Sequence, residues 1–165
     1  RAWSLEREVL LEPGPAAAAG PVCCVVRPLT TDDVPALRAF GLRGLSVTSR
    51  ALFAPYNWEA SSLDDELNTA AQHSLSHRDL HLVAVSGGEV LGYAFLWAMA
   101  DDIPELGLAV ADAHQRRGLG RALLLLLCQV AQAEGRWAVE LTTMQHNARA
   151  LAVYEKAGFE RLGVL

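Results

Sequence analysis

The sequence has little cysteine, no block of basic residues and no apolar run long enough to cross a bilayer, and each shortage closes a class of function. Its 3 cysteines are an odd number with two adjacent, Cys23 and Cys24, which builds neither a disulfide framework nor a zinc-knuckle spacing. A reducing, cytoplasmic setting is therefore expected. The 14 Lys and Arg against 19 Asp and Glu leave a formal charge of −5, with no general attraction to polyphosphate chains, so no nucleic-acid partner is expected. The longest apolar stretch, "ALLLLLC" followed by "QVAQA", is broken by Gln129 and Gln132 and falls short of the roughly 20 residues a spanning helix needs. It reads as a buried helix face, and no membrane partner is expected. The opening "RAWSLEREVLL" carries two glutamates and lacks an apolar core, so it does not read as a signal peptide.

What is present suits one globular domain: 165 residues, 52% hydrophobic and 20% charged. Residues 1–21 close with "EPGPAAAAGP", prolines around an alanine tract, and read as an N-terminal extension and linker ahead of a domain spanning 22–165. In that domain "VCCVVRPL" reads as a strand and "TTDDVPALRAFGLRG" as a helix opened by Thr and Asp. "SVTSRALFAPYNWEASS" has no clear period and reads as irregular or partly helical. Ser61 or Ser62, with Asp64 or Asp65 three residues on, resembles a capping box for a helix over 63–77.

"DLHLVAVSGGEVLGYAFLWAMA" is a hairpin about the turn Ser86, Gly87, Gly88, Glu89, and "ELGLAV" is the strand after it. A helix then runs to about Glu134 and stops at Gly135, "WAVELTT" follows as a strand, and a last helix runs from Asn147 to Ala157 before Gly158. "FERLGVL" is read as a closing strand. Its end at Leu165 leaves room for a further strand from a longer chain or from a second subunit in a homodimer. The order β-α-α-β-β-β-α-β-α-β describes one mixed α/β sheet with helices packed on it.

The loop in "ADAHQRRGLGRALLLLL" carries the chemistry. Gly118 and Gly120 enter a helix after a strand, which gathers unpaired backbone N–H groups and the positive end of the helix dipole at one point, a ready phosphate site. A P-loop would need Lys and a hydroxyl residue after its second glycine, and neither is present. A dinucleotide fingerprint would lack its third glycine and would have Ala111–Arg117 between the strand and Gly118, although Glu140 lies about twenty residues on. Taken alone, the loop reads equally as a turn that caps a core helix.

"QRRGLG" resembles the Gln/Arg-x-x-Gly-x-Gly/Ala loop of the GNAT superfamily, the acyl-coenzyme A dependent N-acyltransferases. The strand "ELGLAV", the helix "RALLLLLCQVAQAEG", "WAVELTT" and "NARALAVYEKAGF" resemble that family in the same order, over about residues 83–165. The resemblance implies a twisted, mostly antiparallel sheet with helices on both faces and a splayed parallel strand pair around an acyl-coenzyme A groove. It implies acetyl-coenzyme A as acyl donor, with no metal, and direct transfer of the acetyl group to a primary amine on a small molecule or a protein.

By the same resemblance the groove lies beside Leu108, Ala109 and Val110. Gln115 begins the loop, and the amides of Arg116, Arg117, Gly118, Leu119, Gly120 and Arg121 hold the pyrophosphate; the side chains of Arg116, Arg117 or Arg121 either reach the phosphates or face water.

Amine acylation by a thioester needs a neutral amine, a polarised carbonyl and a proton for the departing thiolate. Asn147 and Tyr154, two helical turns apart, share one face of the last helix. Reference pKa values of about 10 and 8.5 let a tyrosine protonate an alkyl thiolate. The family places such an acid at the tyrosine of "YEKAGF". The competing account of Tyr154 is a core tyrosine whose hydroxyl is satisfied by backbone. Asn147 reads either as a coenzyme contact or as a helix N-cap.

Glu105 resembles the glutamate that some members use as general base, and it also reads as an exposed strand-end carboxylate. Asp101, Asp102 and Glu89 are lesser base candidates. Alternation puts Glu105, Gly107 and Ala109 on one face, small enough to admit a pantetheine arm, unless Gly107 marks a bulge.

His73, His77 and His81, with Asp79, invite a metal reading, but a solvated helix end explains them better. Cys128 reads as a small core residue. Phe53, Tyr56, Trp58, Tyr93 and Trp97 line an acceptor pocket or fill the core. Two rivals of other classes are a non-catalytic acyl-coenzyme A binding module and a nucleotide-dependent oxidoreductase.

Overall fold

Alternation in the central hairpin sets the architecture. In β3 (Leu80–Ser86), Leu80, Leu82 and Ala84 face one side and His81 and Val83 the other; β4 (Glu89–Trp97) repeats this with Ala94 and Leu96 against Tyr93, Phe95 and Trp97. Gly87 and Gly88 turn the chain at φ 55° and 79°, the paired positive values that a two-residue hairpin loop requires.

The computed structural model describes residues 3–14 and 20–164. On either side of the hairpin lie β2 (Val22–Pro28) and β5 (Glu105–Val110), with β1 (Arg7–Leu11) outside β2. The result is a five-stranded antiparallel sheet in the order β1-β2-β3-β4-β5.

Each face of the sheet is covered. On one, α4 (Leu119–Ala133) seats Leu123, Leu124 and Leu127 against Leu82, Leu96 and Leu106. On the other, α1 (Val34–Ala39) and α3 (Leu63–Leu75) seat Leu37, Leu63 and Leu67 on Val83 and Tyr93. Burying a leucine side chain of this kind stabilises by about 2 kcal/mol, so the leucine run fixes α4 firmly. A short α2 (Val47–Leu52) and the last helix, α5 (Ala148–Lys156), complete the fold. The expected mixed α/β fold with helices on both faces is what forms.

Four local expectations change. Residues 7–11, read only as part of an extension, make a full strand pairing Arg7–Val26 through Leu11–Val22. "WAVELTT" contributes a single parallel bridge, Glu105 to Glu140, and no ladder. Residues 159–164 form no strand, and Leu162 and Val164 are exposed; a strand persists only where a neighbour takes its N–H and C=O groups, and 139–143 offer none. The helix expected over 30–44 is broken into a 3-10 turn (Thr31–Asp33), α1 and a π turn (Phe40–Gly44), and in that last turn the Trp58 ring lies where a Cβ on Gly41 would be, an approach that glycine alone permits.

Candidate active site

β5 ends at Val110, and the chain crosses a 3-10 turn (Asp112–His114) to reach α4. Gly118 is the N-cap in the left-handed region, φ 88°, a conformation that costs a residue with a Cβ about 1 kcal/mol or more. Among the described residues, no N–H from Arg116 to Arg121 bonds to a protein acceptor; the first that does is Ala122, to the Gly118 carbonyl at 3.0 Å. Six consecutive backbone donors are thus left unpaired at the positive end of a 15-residue helix. Leu119 is buried in the core and anchors this turn, whereas Arg116 and Arg121 are exposed. A Cβ on Gly120 would meet only Val110 and Leu108, at 3.7 and 3.9 Å, which is ordinary contact.

Arg117 departs from expectation. Its side chain neither reaches outward nor faces water: the residue is 3% exposed, its Nε donates to the Glu12 carbonyl at 2.7 Å and its Nη2 donates to the Gly20 carbonyl. The guanidinium ties down two backbone carbonyls of the N-terminal segment, those of Glu12 and Gly20. His114 lies 3.3 Å from Nη1, and burial followed by the Arg117 charge holds its imidazole below the usual range, so it accepts.

Gln115 is a tie between elements. Its Nε2 donates to the Val110 carbonyl at 2.9 Å, and its Oε1 accepts from Arg149 on α5. The loop is thereby joined to the end of β5 and to α5 at once.

Glu105 starts β5, exposed, opposite Trp97 on β4. Leu106 N–H donates to the Glu140 carbonyl at 2.7 Å and Glu140 N–H to the Pro104 carbonyl at 3.1 Å. Beyond this bridge the two segments part, and the outer edge of β5 along Gly107, Leu108, Ala109 and Val110 has no strand partner among the described residues. That parting is the splay expected for the groove.

The small-residue face of β5 is closed. A Cβ on Gly107 would lie 2.2 Å from the Phe95 ring, so Phe95 fills the room expected for a pantetheine arm on that face. The β4–β5 register runs unbroken through Gly107, which therefore marks no bulge.

Asn147 is the N-cap of α5: its Oδ1 accepts from Ala150 N–H at 3.3 Å and its Nδ2 donates to Thr143 Oγ1 at 3.3 Å. Tyr154, half-buried against the α4 core, packs its ring 5.7 Å from Phe159. No hydrogen bond holds its hydroxyl among the described residues, so the backbone partner of the core-tyrosine account is missing. Burial pushes its pKa above the usual phenol value, which keeps the proton on the oxygen at neutral pH.

The histidines separate. His77 stacks on Trp3, with centroids 4.0 Å apart. His81 is no solvated helix end: it is 1% exposed on β3, its Nδ1 lies 2.8 Å from Tyr93 Oη, and Tyr93 Oη lies 2.9 Å from Tyr56 Oη. Burial holds His81 neutral and raises Tyr56 to about 12. Asp79 accepts from His73 Nδ1 at 2.9 Å and from Ala98 N–H at 2.8 Å. Burial opposes its charge, but His81, protonated in the acid range where Asp79 titrates, together with the Ala98 N–H and His73 holds it down to about 2.

This buried network escaped sequence reasoning. The available signal was alternation, which puts His81 and Tyr93 on the same sheet face. Of the aromatics, Tyr93 and Trp58 lie in the core, and Tyr56 and Trp97 line a cleft of about 540 Å³. Cys128 is half-buried, with its thiol pushed up by burial, as expected of a core residue.

Residues 47–159 match the model of the acetyltransferase (GNAT) family, and the chain belongs to that family. It is 30% identical over 120 residues to N-acetyltransferase family 8 member 7 of Mus musculus, covering 67% of this chain and 53% of that protein. It is 33% identical over 82 residues to the [ribosomal protein bS18]-alanine N-acetyltransferase of Escherichia coli strain K12, covering 50% of this chain and 55% of the relative. The chain thus spans about half the length of the curated relatives it matches. Among solved structures, the GNAT domain of S. lividans PAT superposes with a TM-score of 0.77 at 26% identity, over 96% of this chain and 91% of that one. Among the described residues no helix is long and apolar enough to cross a membrane, and no group of three or more His, Cys, Asp or Glu is placed to hold a metal ion.

Proposed function

We propose that this chain transfers an acetyl group from acetyl-coenzyme A directly to a primary amine. The observation that carries the reading is the run of unpaired N–H groups from Arg116 to Arg121 at the start of α4, with Gly118 and Gly120 leaving the backbone open to a bulky anion. These amides, with Gln115 fixing the loop, would hold the pyrophosphate; Leu108, Ala109 and Val110 on the free edge of β5 would border the pantetheine arm. Asn147 sets the start of α5, and its Nδ2, held only by Thr143, is the group that would turn to the coenzyme. Bound acetyl-coenzyme A supplies an activated thioester carbonyl.

The protein's own groups manage the protons. Glu105, exposed at the bridged end from which the two segments part, takes up the proton the ammonium must lose. Tyr154 keeps its proton at neutral pH and has no competing hydrogen-bond partner among the described residues, so it donates to the departing sulfur. The acceptor class is a small-molecule or protein amine. The proposed compartment is the cytoplasm, consistent with three unpaired cysteine thiols.

Calorimetric titration with acetyl-coenzyme A, NAD and NADP, on the wild type and on Gly120→Glu, tests the reading. The expected result is acetyl-coenzyme A binding that the added carboxylate abolishes, no NAD or NADP binding, and an equal melting temperature for both proteins. A folded wild type that ignores acetyl-coenzyme A would reduce the two glycines to a helix cap. Binding without amine-dependent thiol release would make the domain a non-catalytic acyl-coenzyme A module.

A further inference from the structure

On the α3 side of the sheet, the cleft of about 540 Å³ runs between α3, the start of β3 and the end of β4. Its floor holds an unexplained group. His81 Nε2 is fully buried and has no hydrogen-bond partner among the described residues, while Asp79 Oδ2 stands 3.9 Å away, too far to bond. An unpaired polar atom at this depth is costly unless something completes it.

The other imidazole nitrogen is already engaged. In the tautomer that carries the hydrogen of neutral His81 on Nδ1, the imidazole would donate to Tyr93, Tyr93 to Tyr56, and Nε2 would be a bare lone pair. Two acceptors 3.9 Å apart are then bridged by a single donor atom lying about 2.9 Å from each. The walls select the charge of that donor. Asp65, Glu66 and Asp79 supply three carboxylates against the guanidinium of Arg78 and the imidazole of His73, whose Nδ1 lies 2.9 Å from Asp79 Oδ2, and Tyr56 and Trp97 add aromatic rings to the lining.

We infer that this cleft binds a protonated primary amino group, with Asp79 and His81 Nε2 as its acceptors. The inference rests on the acetyl transfer proposed above in one respect only, that the bound group belongs to the acceptor. Trp97 lines the cleft and is the cross-strand partner of Glu105, so the two side chains leave the same sheet face. An acceptor that fits this layout carries two amino groups: one stays charged over Asp79, and the other, beyond an alkyl spacer, is deprotonated at Glu105 and acylated.

The probe is 1,4-diaminobutane, read by the imidazole ¹⁵N resonances of labelled protein without coenzyme. The expected result is a saturable shift at His81 Nε2 that potassium chloride at equal ionic strength does not reproduce. Asp79→Asn should remove the shift, and Asp65→Asn with Glu66→Gln should weaken the diamine roughly tenfold. Both variants should keep the wild-type affinity for acetyl-coenzyme A, which excludes general unfolding. In turnover, the rim double variant should raise KM for 1,4-diaminobutane at constant kcat and leave 1-aminobutane unaffected.

No saturable shift, or a diamine affinity indifferent to all three carboxylates, overturns the site; so does an equal response to potassium, which would make the bridging group water alone. A shift with no change in KM overturns the acceptor assignment. Failure of the wild type to bind acetyl-coenzyme A overturns the transfer reaction instead and leaves the amine site standing, so the two failures are distinguishable.

Discussion

Arg117 and Glu12 are bound to each other twice: the Arg117 Nε donates to the Glu12 carbonyl at 2.7 Å, and the Glu12 N–H donates to the Arg117 carbonyl at 3.2 Å. The residue in the middle of the glycine loop before α4 therefore also fastens the segment that follows β1.

Arg117→Ala would strip the donors from the Glu12 and Gly20 carbonyls. The expected loss is about 2–3 kcal/mol of stability in urea unfolding, with looser binding of acetyl-coenzyme A because the loop loses its anchor. Arg117→Lys should recover little, since one ammonium cannot match the forked geometry. Wild-type stability in the alanine variant would refute the anchoring role.

Gly118→Ala tests backbone conformation apart from space. A Cβ there meets nothing within 4 Å, yet the residue sits at φ 88°. The variant should lose about 1 kcal/mol or somewhat more, purely from the left-handed backbone. Gly118→Asn, which tolerates that region better, should recover part of it by thermal melting.

Tyr154→Phe should lower kcat by about a hundredfold or more and leave the acetyl-coenzyme A dissociation constant unchanged. Because burial raises the phenol pKa, the acid stays protonated until pH exceeds the usual phenol value, so Tyr154 should add no falling limb to the wild-type profile below about pH 10. Glu105→Gln should lower turnover at neutral pH and recover as pH rises, when the amine loses its proton unaided. Unchanged turnover at neutral pH would remove Glu105 as the base.

Asp79 ties folding to acidity. Its folded pKa of about 2 lies below an unfolded value of about 3.9. The carboxylate therefore contributes stability that is complete above about pH 4 and fades as pH falls toward 2, amounting to ~2 kcal/mol in order of magnitude. Urea unfolding of wild type and Asp79→Asn should differ by roughly that amount at pH 7 and converge near pH 2. A gap that is constant with pH would mean that shape rather than charge sets it.

Where side chains alternate or glycines punctuate, the fold was legible: Leu80, Leu82 and Ala84 marked a sheet face, Gly87 and Gly88 a turn, and Asn147 and Gly158 the ends of α5. Strand β1 was hidden because Arg7, Glu8 and Leu10 are all exposed and blur the period of an edge strand. Residues 139–143 and 159–164 have strand-like composition, but a ladder depends on neighbours that composition does not record.

At the candidate site, the glycine turn that opens α4 was legible because it is local. The burial of Arg117, the packing of Phe95 over Gly107 and the chain from Tyr56 to His81 join residues far apart in sequence; alternation puts His81 and Tyr93 on one face but does not report the contacts.

Gln115, bonded to Val110 on one side and Arg149 on the other, makes the loop and α5 a single lever. On the proposed reading, a donor that stills the loop also steadies the helix that carries Tyr154, so donor binding and the order of α5 become thermodynamically linked. Linkage is reciprocal: whatever steadies α5 must tighten the grip on the donor by the same factor. A substitution at Arg149, remote from any reacting atom, would then be felt first as weaker coenzyme binding.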